Sequence, residues 1–297
     1  MKKSANKNKK LVKEKSFLYY YFFLAPIVLL FNLYIFIMQP LEKNPPFFME
    51  LRNQGMKQNM RMEQHDKGIR NGMVFHGERG KKMVALTFDA DMTEGMAQSL
   101  KSGAVQSLYD RRLIEQLRKS NTPATLFLSG MWTEVYPKET RELANDSLFE
   151  LGSHSYAHKA FTNNCFSLLK IDEFEKIQDI GTSQFLIQKH TGVKTKLFRF
   201  PGGCYSLEDI SLLKKAGMIP IQWDVVANDG FNPNPEAIIS NIVSQARNGS
   251  IIVLHMNGFP NEPVDYVAVP QAIKILKERG FEFVTISKLL ENYDIIK

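Results

Sequence analysis

From about residue 73 to residue 291 the chain alternates short apolar runs with longer amphipathic stretches, and that alternation leaves few folds open. Apolar runs at 83–88, 124–128, 148–152, 197–200, 218–225, 250–254 and 281–285 have the length and composition of buried strands. Between them lie segments with helical spacing. Residues 108–119 place Leu108, Leu113, Ile114 and Leu117 on one side, and Asn121-Thr122-Pro123 breaks that helix. Further helices are expected at 133–145, 171–190, 207–216, 235–247 and 270–279, with a short one at 286–291. Strands separated by helices of this length imply an α/β domain over 73–297 with a mostly parallel sheet, and about seven such units suffice to close a barrel. No 20–50-residue repeat is present, so a solenoid is not expected.

Charge is distributed unevenly. The formal charge is +7, and residues 1–15 hold seven lysines against Glu14 alone, so the rest of the chain is close to neutral. A nucleic-acid partner needs a basic face on the folded domain. None is indicated, and no nucleic-acid binding is expected. The lysine tail (1–16) abuts residues 17–38, an uncharged apolar stretch long enough to cross the hydrocarbon core as a helix. A cleavable signal would have a shorter core and a small-x-small site; this run ends Ile37-Met38-Gln39-Pro40. The expectation is therefore a retained transmembrane signal anchor in the lipid bilayer, followed by a juxtamembrane linker at 39–72. Lysines on the N-terminal flank place that end in the cytoplasm and the main domain outside, at the cell membrane. Cys165 and Cys204 do not form a C-x-x-C pair, which argues against cysteine-based zinc binding. Outside the cytoplasm they can pair or stay separate, and their spacing does not decide between these.

Chemically capable residues gather at the C-terminal ends of the expected strands. Asp89 and Asp91 follow the first, His154 and His158 the third, Arg199 ends the fourth, Asp229 follows the fifth and His255 the sixth. An aspartate after a strand is often only a helix cap. An acid, imidazole and guanidinium set delivered to one rim is far more specific, because barrels of parallel strands assemble their sites there. The i, i+4 spacing of His154 and His158 would put both on one face of a helical turn, close enough to share a metal. One carboxylate would complete a three-ligand site with an open position, as hydrolytic zinc requires.

With these residues in place, the chain resembles the NodB-homology polysaccharide deacetylases, carbohydrate esterase family four. Leu86-Thr87-Phe88-Asp89 is similar to the family's first motif and His154-Ser155-Tyr156-Ala157-His158 to the second. Arg199-Phe200-Pro201-Gly202-Gly203 resembles the third, Trp223 to Asp229 the fourth, and Gly249 through His255 the fifth. The resemblance covers about residues 73–291 and implies a distorted (β/α) barrel and a hydrolase of carbon–nitrogen bonds other than peptide bonds. Its substrate would be an N-acetylated glycan, peptidoglycan or another N-acetylglucosamine polymer. It also implies roles. Asp91, His154 and His158 would hold a divalent metal, zinc being expected. Asp89 would be the general base, oriented by Arg199. His255, supported by Asp229, would protonate the leaving amine, and Gly202 and Trp223 would line the substrate and oxyanion region.

Three features depart from the family pattern. Asp89-Ala90-Asp91 replaces two adjacent aspartates, so base and ligand can also be assigned in the reverse order. Gly202 and Gly230-Phe231 stand where the family usually has aromatic residues, which reshapes the sugar groove. Residues 94–106 are polar and glycine-bearing and read as a loop, a candidate lid. Two other functions are compatible with the sequence: an O-acetyl carbohydrate esterase using the same constellation, and a catalytically inactive glycan-binding protein. The complete set of His154, His158, Arg199, Asp229 and His255 argues against the latter.

Overall fold

The computed structural model describes residues 68–257 and 264–293. The expected basic tail, membrane anchor and most of the linker lie outside the described residues. Among the described residues, no helix is long and apolar enough to cross a membrane.

The described chain opens with a two-stranded antiparallel hairpin, β1 (Ile69–Arg70) and β2 (Met73–Val74). Asn71 and Gly72 join them, both at positive φ (52° and 88°), the turn an Asn-Gly pair favours. The parallel sheet begins with β3 (Met83–Ala90), followed by α1 (Glu94–Ser102), α2 (Arg111–Lys119) and β4 (Ala124–Leu128). Next come α3 (Gly130–Val135), α4 (Pro137–Ala144), β5 (Phe149–Ser153), α5 (Lys176–Thr191) and β6 (Leu197–Phe198). A 3-10 turn at Pro201–Gly203 leads to α6 (Leu207–Lys215), β7 (Ile219–Pro220) and β8 (Val225–Val226). The described elements end with α7 (Pro235–Gln245), β9 (Ile251–His255), α8 (Asp265–Glu278), β10 (Glu282–Phe283) and α9 (Ile286–Leu289).

The strands lie in the order β7-β6-β5-β4-β3-β9-β8, each parallel to its neighbour, with β10 pairing the first residues of β3. Strands β7 and β8 end the path on opposite sides and do not pair with each other, so the curled sheet is a half-barrel. The expected single strand at 218–225 is divided for this reason. Ile221 N still donates to Phe198 of β6, but Gln222 N turns aside to donate to the Val74 carbonyl, and β8 begins afresh against β9.

Both faces of β3 are buried, which explains its continuous apolar run. Val84, Leu86, Phe88 and Ala90 pack outward in a cluster with Leu113, Leu117, Trp132 and Leu276 of the helices. Met83 and Ala85 belong to a separate inner cluster with Phe127 and Ile251. Truncating a fully buried ring such as Trp132 or Phe88 to alanine would cost about 3–5 kcal/mol.

Other boundaries moved for local reasons. The expected helix at 133–145 is two helices, because Pro137 begins a new one. Residues 94–102 form helix α1 rather than a loop. Thr93 caps its first turn by accepting a hydrogen bond from Met96 N, and Gly103 at φ 77° closes it. The polar composition that suggested a loop reflects a helix with no buried residue.

Candidate active site

The site is built where β3, β5, β6 and β9 end. Side chains two apart on a strand share a face, so Thr87, Asp89 and Asp91 point the same way and Ala90 points out among the helices. The inserted alanine therefore keeps both carboxylates on the inner side. Asp89 lies opposite His255 on the neighbouring strand β9.

Asp91 Oδ1 is 3.3 Å from His154 Nε2 and 3.2 Å from His158 Nε2. One ligand atom from each of Asp91, His154 and His158 falls within 4.8 Å of the others. His154 and His158 do not lie on a helical turn as their spacing suggested. They flank a loop after β5 in which Ser155 and His158 have φ of 63° and 52°, and their rings sit 4.9 Å apart. Asp179 on α5 holds this loop by accepting hydrogen bonds from Tyr156 N (3.0 Å) and Ala157 N (3.4 Å).

The donor set fits a divalent cation. His154 Nδ1 is 2.9 Å from the Arg199 carbonyl, which accepts its N–H and leaves the Nε2 lone pair facing Asp91. Asp91 Oδ1 is buried without a hydrogen-bond donor. Burial opposes its charge most, yet His158, His154 and His255 together hold its pKa below the ordinary carboxylate value. Burial pushes His158 down to about 4 against the pull of Asp91, so its imidazole is neutral at pH 7, the form that ligates metal. Burial also works against charge on His154, but Asp89 and Asp91 outweigh it and raise its pKa.

Asp89 is held differently. Arg199 Nη1 donates to Asp89 Oδ1 at 2.7 Å and to Thr87 Oγ1 at 2.8 Å. Arg199 is fully buried, with its guanidinium 4.1 Å from the centroid of the Phe127 ring and 5.4 Å from that of Trp223. Burial lowers its pKa below that of a free guanidinium, but an arginine keeps its proton. The second oxygen of Asp89 is left facing the cluster, 3.8 Å from His154 Nε2.

On the other flank, Asp229 Oδ2 accepts from His255 N at 2.6 Å and lies 3.1 Å from His255 Nδ1. Burial disfavours charge on His255. Asp229, followed by Asp91 and Asp89, overcomes this and raises its pKa to about 10, so the imidazole is protonated at neutral pH. Its Nε2 is 3.9 Å from Asp91 Oδ2. Gly202 has φ 60°, and a Cβ there would lie 2.6 Å from Cys165 Sγ. Cys165 and Cys204 form a disulfide. Trp223 packs under Gly203, where a Cβ would lie 2.5 Å from the indole.

Three supporting residues were not singled out in the sequence. Thr87 shares Arg199 with Asp89, and its place two residues before Asp89 was the available signal. Asp179 carries no signal in its helix. Asp265, buried at the start of α8, has no conventional donor for either oxygen. Burial first and then the neighbouring Asp229 raise its pKa to about 9.

A parallel half-barrel with an acid–imidazole cluster at its C-terminal rim, beside an Arg-held carboxylate and a carboxylate-held imidazole, is an arrangement suited to hydrolysis. The polysaccharide deacetylase family model matches residues 76–221. A peptidoglycan-N-acetylglucosamine deacetylase of Bacillus cereus is 25% identical over 220 residues, 73% of this chain and 72% of that protein. The uncharacterized protein YlxY of Bacillus subtilis is 24% identical over 78% of this chain, and the match spans 65% of YlxY. Among solved structures, a carbohydrate esterase family four pseudoenzyme from Bacillus anthracis shares the fold, with a TM-score of 0.61 and 24% identity over 75% of this chain and 70% of that one. Over residues 76–221 the chain belongs to the polysaccharide deacetylase family.

Proposed function

We propose that the chain is a membrane-anchored, metal-dependent deacetylase that removes acetyl groups from N-acetylated glycan, peptidoglycan being the favoured substrate. The observation that carries this reading is the placement of Asp89 and His255, paired across β3 and β9, beside the Asp91–His154–His158 cluster, 3.8 Å and 3.9 Å from its atoms. The family match and the named activity of the B. cereus relative support the substrate class.

In this reading Asp91, His154 and His158 hold a divalent cation, zinc being the expected one, and the cation would supply positive charge beside an acetyl carbonyl and acidify water. Asp89 takes the proton from the attacking water at Oδ2, while Arg199 on Oδ1 keeps the carboxylate oriented. The N–H groups of Gly203 and Cys204 bond the Phe200 and Pro201 carbonyls, so in this reading the Gly202 N–H would serve the oxyanion. His255 then gives its Nε2 proton to the departing amine, which leaves poorly until protonated. Asp229, accepting from His255 N and lying 3.1 Å from its Nδ1, keeps the imidazole charged and oriented. The uncharged run at 17–38 and its lysine flank support a single-pass anchor with the domain outside.

Acetate release from N-acetylglucosamine oligomers and from peptidoglycan, with added zinc and with chelator, tests the reading. Release that requires metal is expected. Release from O-acetylated xylan alone would reassign the enzyme as an O-acetyl esterase. Glycan binding without any release would make it an inactive binder.

A further inference from the structure

Two aromatic rings stand together at the rim of the site, uncovered by any described residue. Phe166 and Phe231 are each 66% exposed, with ring centroids 5.8 Å apart and planes inclined by 38°. They come from separate parts of the chain. Phe231 follows Gly230, which lies so close to the general-acid candidate that a Cβ there would be 3.1 Å from His255 Cε1. Phe166 lies in the segment between β5 and α5, and its ring occupies the space beside Gly202. A Cβ on Gly202 would be 3.1 Å from Phe166 Cδ2. The pair thus runs from the Gly202 side of the site to the His255 side.

The position of Phe166 is maintained against local preference. Asn164, Phe166 and Ser167 have φ of 58°, 47° and 62°, a region that residues with a Cβ seldom adopt. Strain of this kind persists only where the surroundings over-determine it. Here the constraint is covalent: the Cys165–Cys204 disulfide ties the residue before Phe166 to the residue after the Pro201–Gly203 turn. Gly202 is the residue type that lets the two approach, since any side chain would meet Cys165 Sγ. The result is a strained, cross-linked segment that holds a large apolar ring out in water, where it gains nothing from burial.

We propose that Phe166 and Phe231 form a stacking platform for the sugar unit adjoining the one whose acetyl group is removed, with the Cys165–Cys204 bond holding Phe166 in place. A pyranose ring presents C–H groups on its faces and hydroxyls at its edge, so it can cover an aromatic face while its polar rim stays in water. The ligand class is an N-acetylhexosamine oligomer of at least two units, and the proposal rests on the deacetylase reading above. Phe166 and Phe231 act as specificity-determining residues: they favour polymer over the single sugar and take no part in proton transfer.

The test uses the full chain in detergent micelles, measuring calorimetric affinity for N-acetylglucosamine tetrasaccharide together with kcat and KM for acetate release. F166A and F231A are each expected to weaken tetrasaccharide binding about three- to tenfold, with KM rising more than kcat falls. F166Y and F231Y, which keep the ring, should restore affinity. The C165S/C204S double variant should show the same loss as F166A, and adding F166A to it should cost little more, because both act through one ring. Wild-type affinity in both alanine variants, with acetate release intact, overturns the platform and leaves the deacetylase reading standing. A wild-type chain that neither binds the tetrasaccharide nor releases acetate overturns both. Should C165S/C204S fail to fold, F166A and F231A decide the matter alone.

Discussion

Asp89 and Asp91 show how a one-residue insertion acts on a strand. Period-two geometry sends Ala90 into the helix layer and keeps both carboxylates inward, yet their surroundings differ completely. Asp89 is clamped by a buried guanidinium, whereas Asp91 sits between two imidazoles with no donor on Oδ1. Asp89→Asn should leave bound zinc unchanged and lower kcat by about 10²–10⁴, the usual weight of a general base. Asp91→Asn should reduce zinc content in elemental analysis of the purified protein. The opposite pattern would exchange the two roles. His255 supplies the pH dependence. Its folded pKa is raised to about 10, so its charged form stabilises the fold fully below its ordinary value near 6.5 and that contribution is lost as pH rises through about 10. Catalysis needs the same proton, so kcat should fall on the alkaline side as it is lost. Asp229→Asn removes the charge that raises this pKa, and the alkaline limb of the pH–rate profile should move to lower pH. An unmoved limb would assign it to another group.

Among the elements, the loop between β5 and α5 carries most of what is particular to this chain. Its first part presents both histidines, and its later part is cross-linked to the turn after β6. Asp179, on the helix that follows, is the carboxylate that fixes the histidine-bearing turn through two backbone N–H groups. Asp179→Ala should weaken zinc affinity about tenfold, the lower end of what supporting residues contribute, and competition with a chromogenic chelator would measure it. Equal affinity in wild type and variant would mean that the turn holds itself. This loop was the least legible part of the sequence. Spacing of four residues suggested a helical turn, but the positive φ at Ser155 and His158 brings the rings together by another route. Helix α1 escaped notice for the opposite reason: it buries no side chain fully, and its apolar face is only Met96, Ala97 and Leu100, part-buried against the core.

At the scale of the whole molecule, placement relative to the membrane governs which glycan the site can reach. Seven lysines precede the apolar run at 17–38. Each lysine at a bilayer centre costs about 2.5–3.5 kcal/mol on insertion scales, so translocating the tail is strongly disfavoured. Protease added to intact spheroplasts should therefore digest a C-terminal tag and spare an N-terminal one; a protected C-terminal tag would remove the cell-wall substrate along with the topology. The sequence alone determined the strand–helix alternation, the parallel sheet and the rim at which Asp89, His154, Arg199, Asp229 and His255 meet, because burial on both faces and strand-end chemistry leave period and position in the residue order. Tertiary structure decided what depends on contacts between distant segments. Between β7 and β8 the chain leaves the sheet, Gln222 N donating to Val74 of β2 and the Ile221 and Gln222 carbonyls accepting from the Arg199 side chain. Asp265 bears on Asp229 across the fold. Cys165 pairs with Cys204, and Phe166 thereby meets Phe231. These pairings join segments far apart in the chain, and no local pattern of residue types encodes the distance between them.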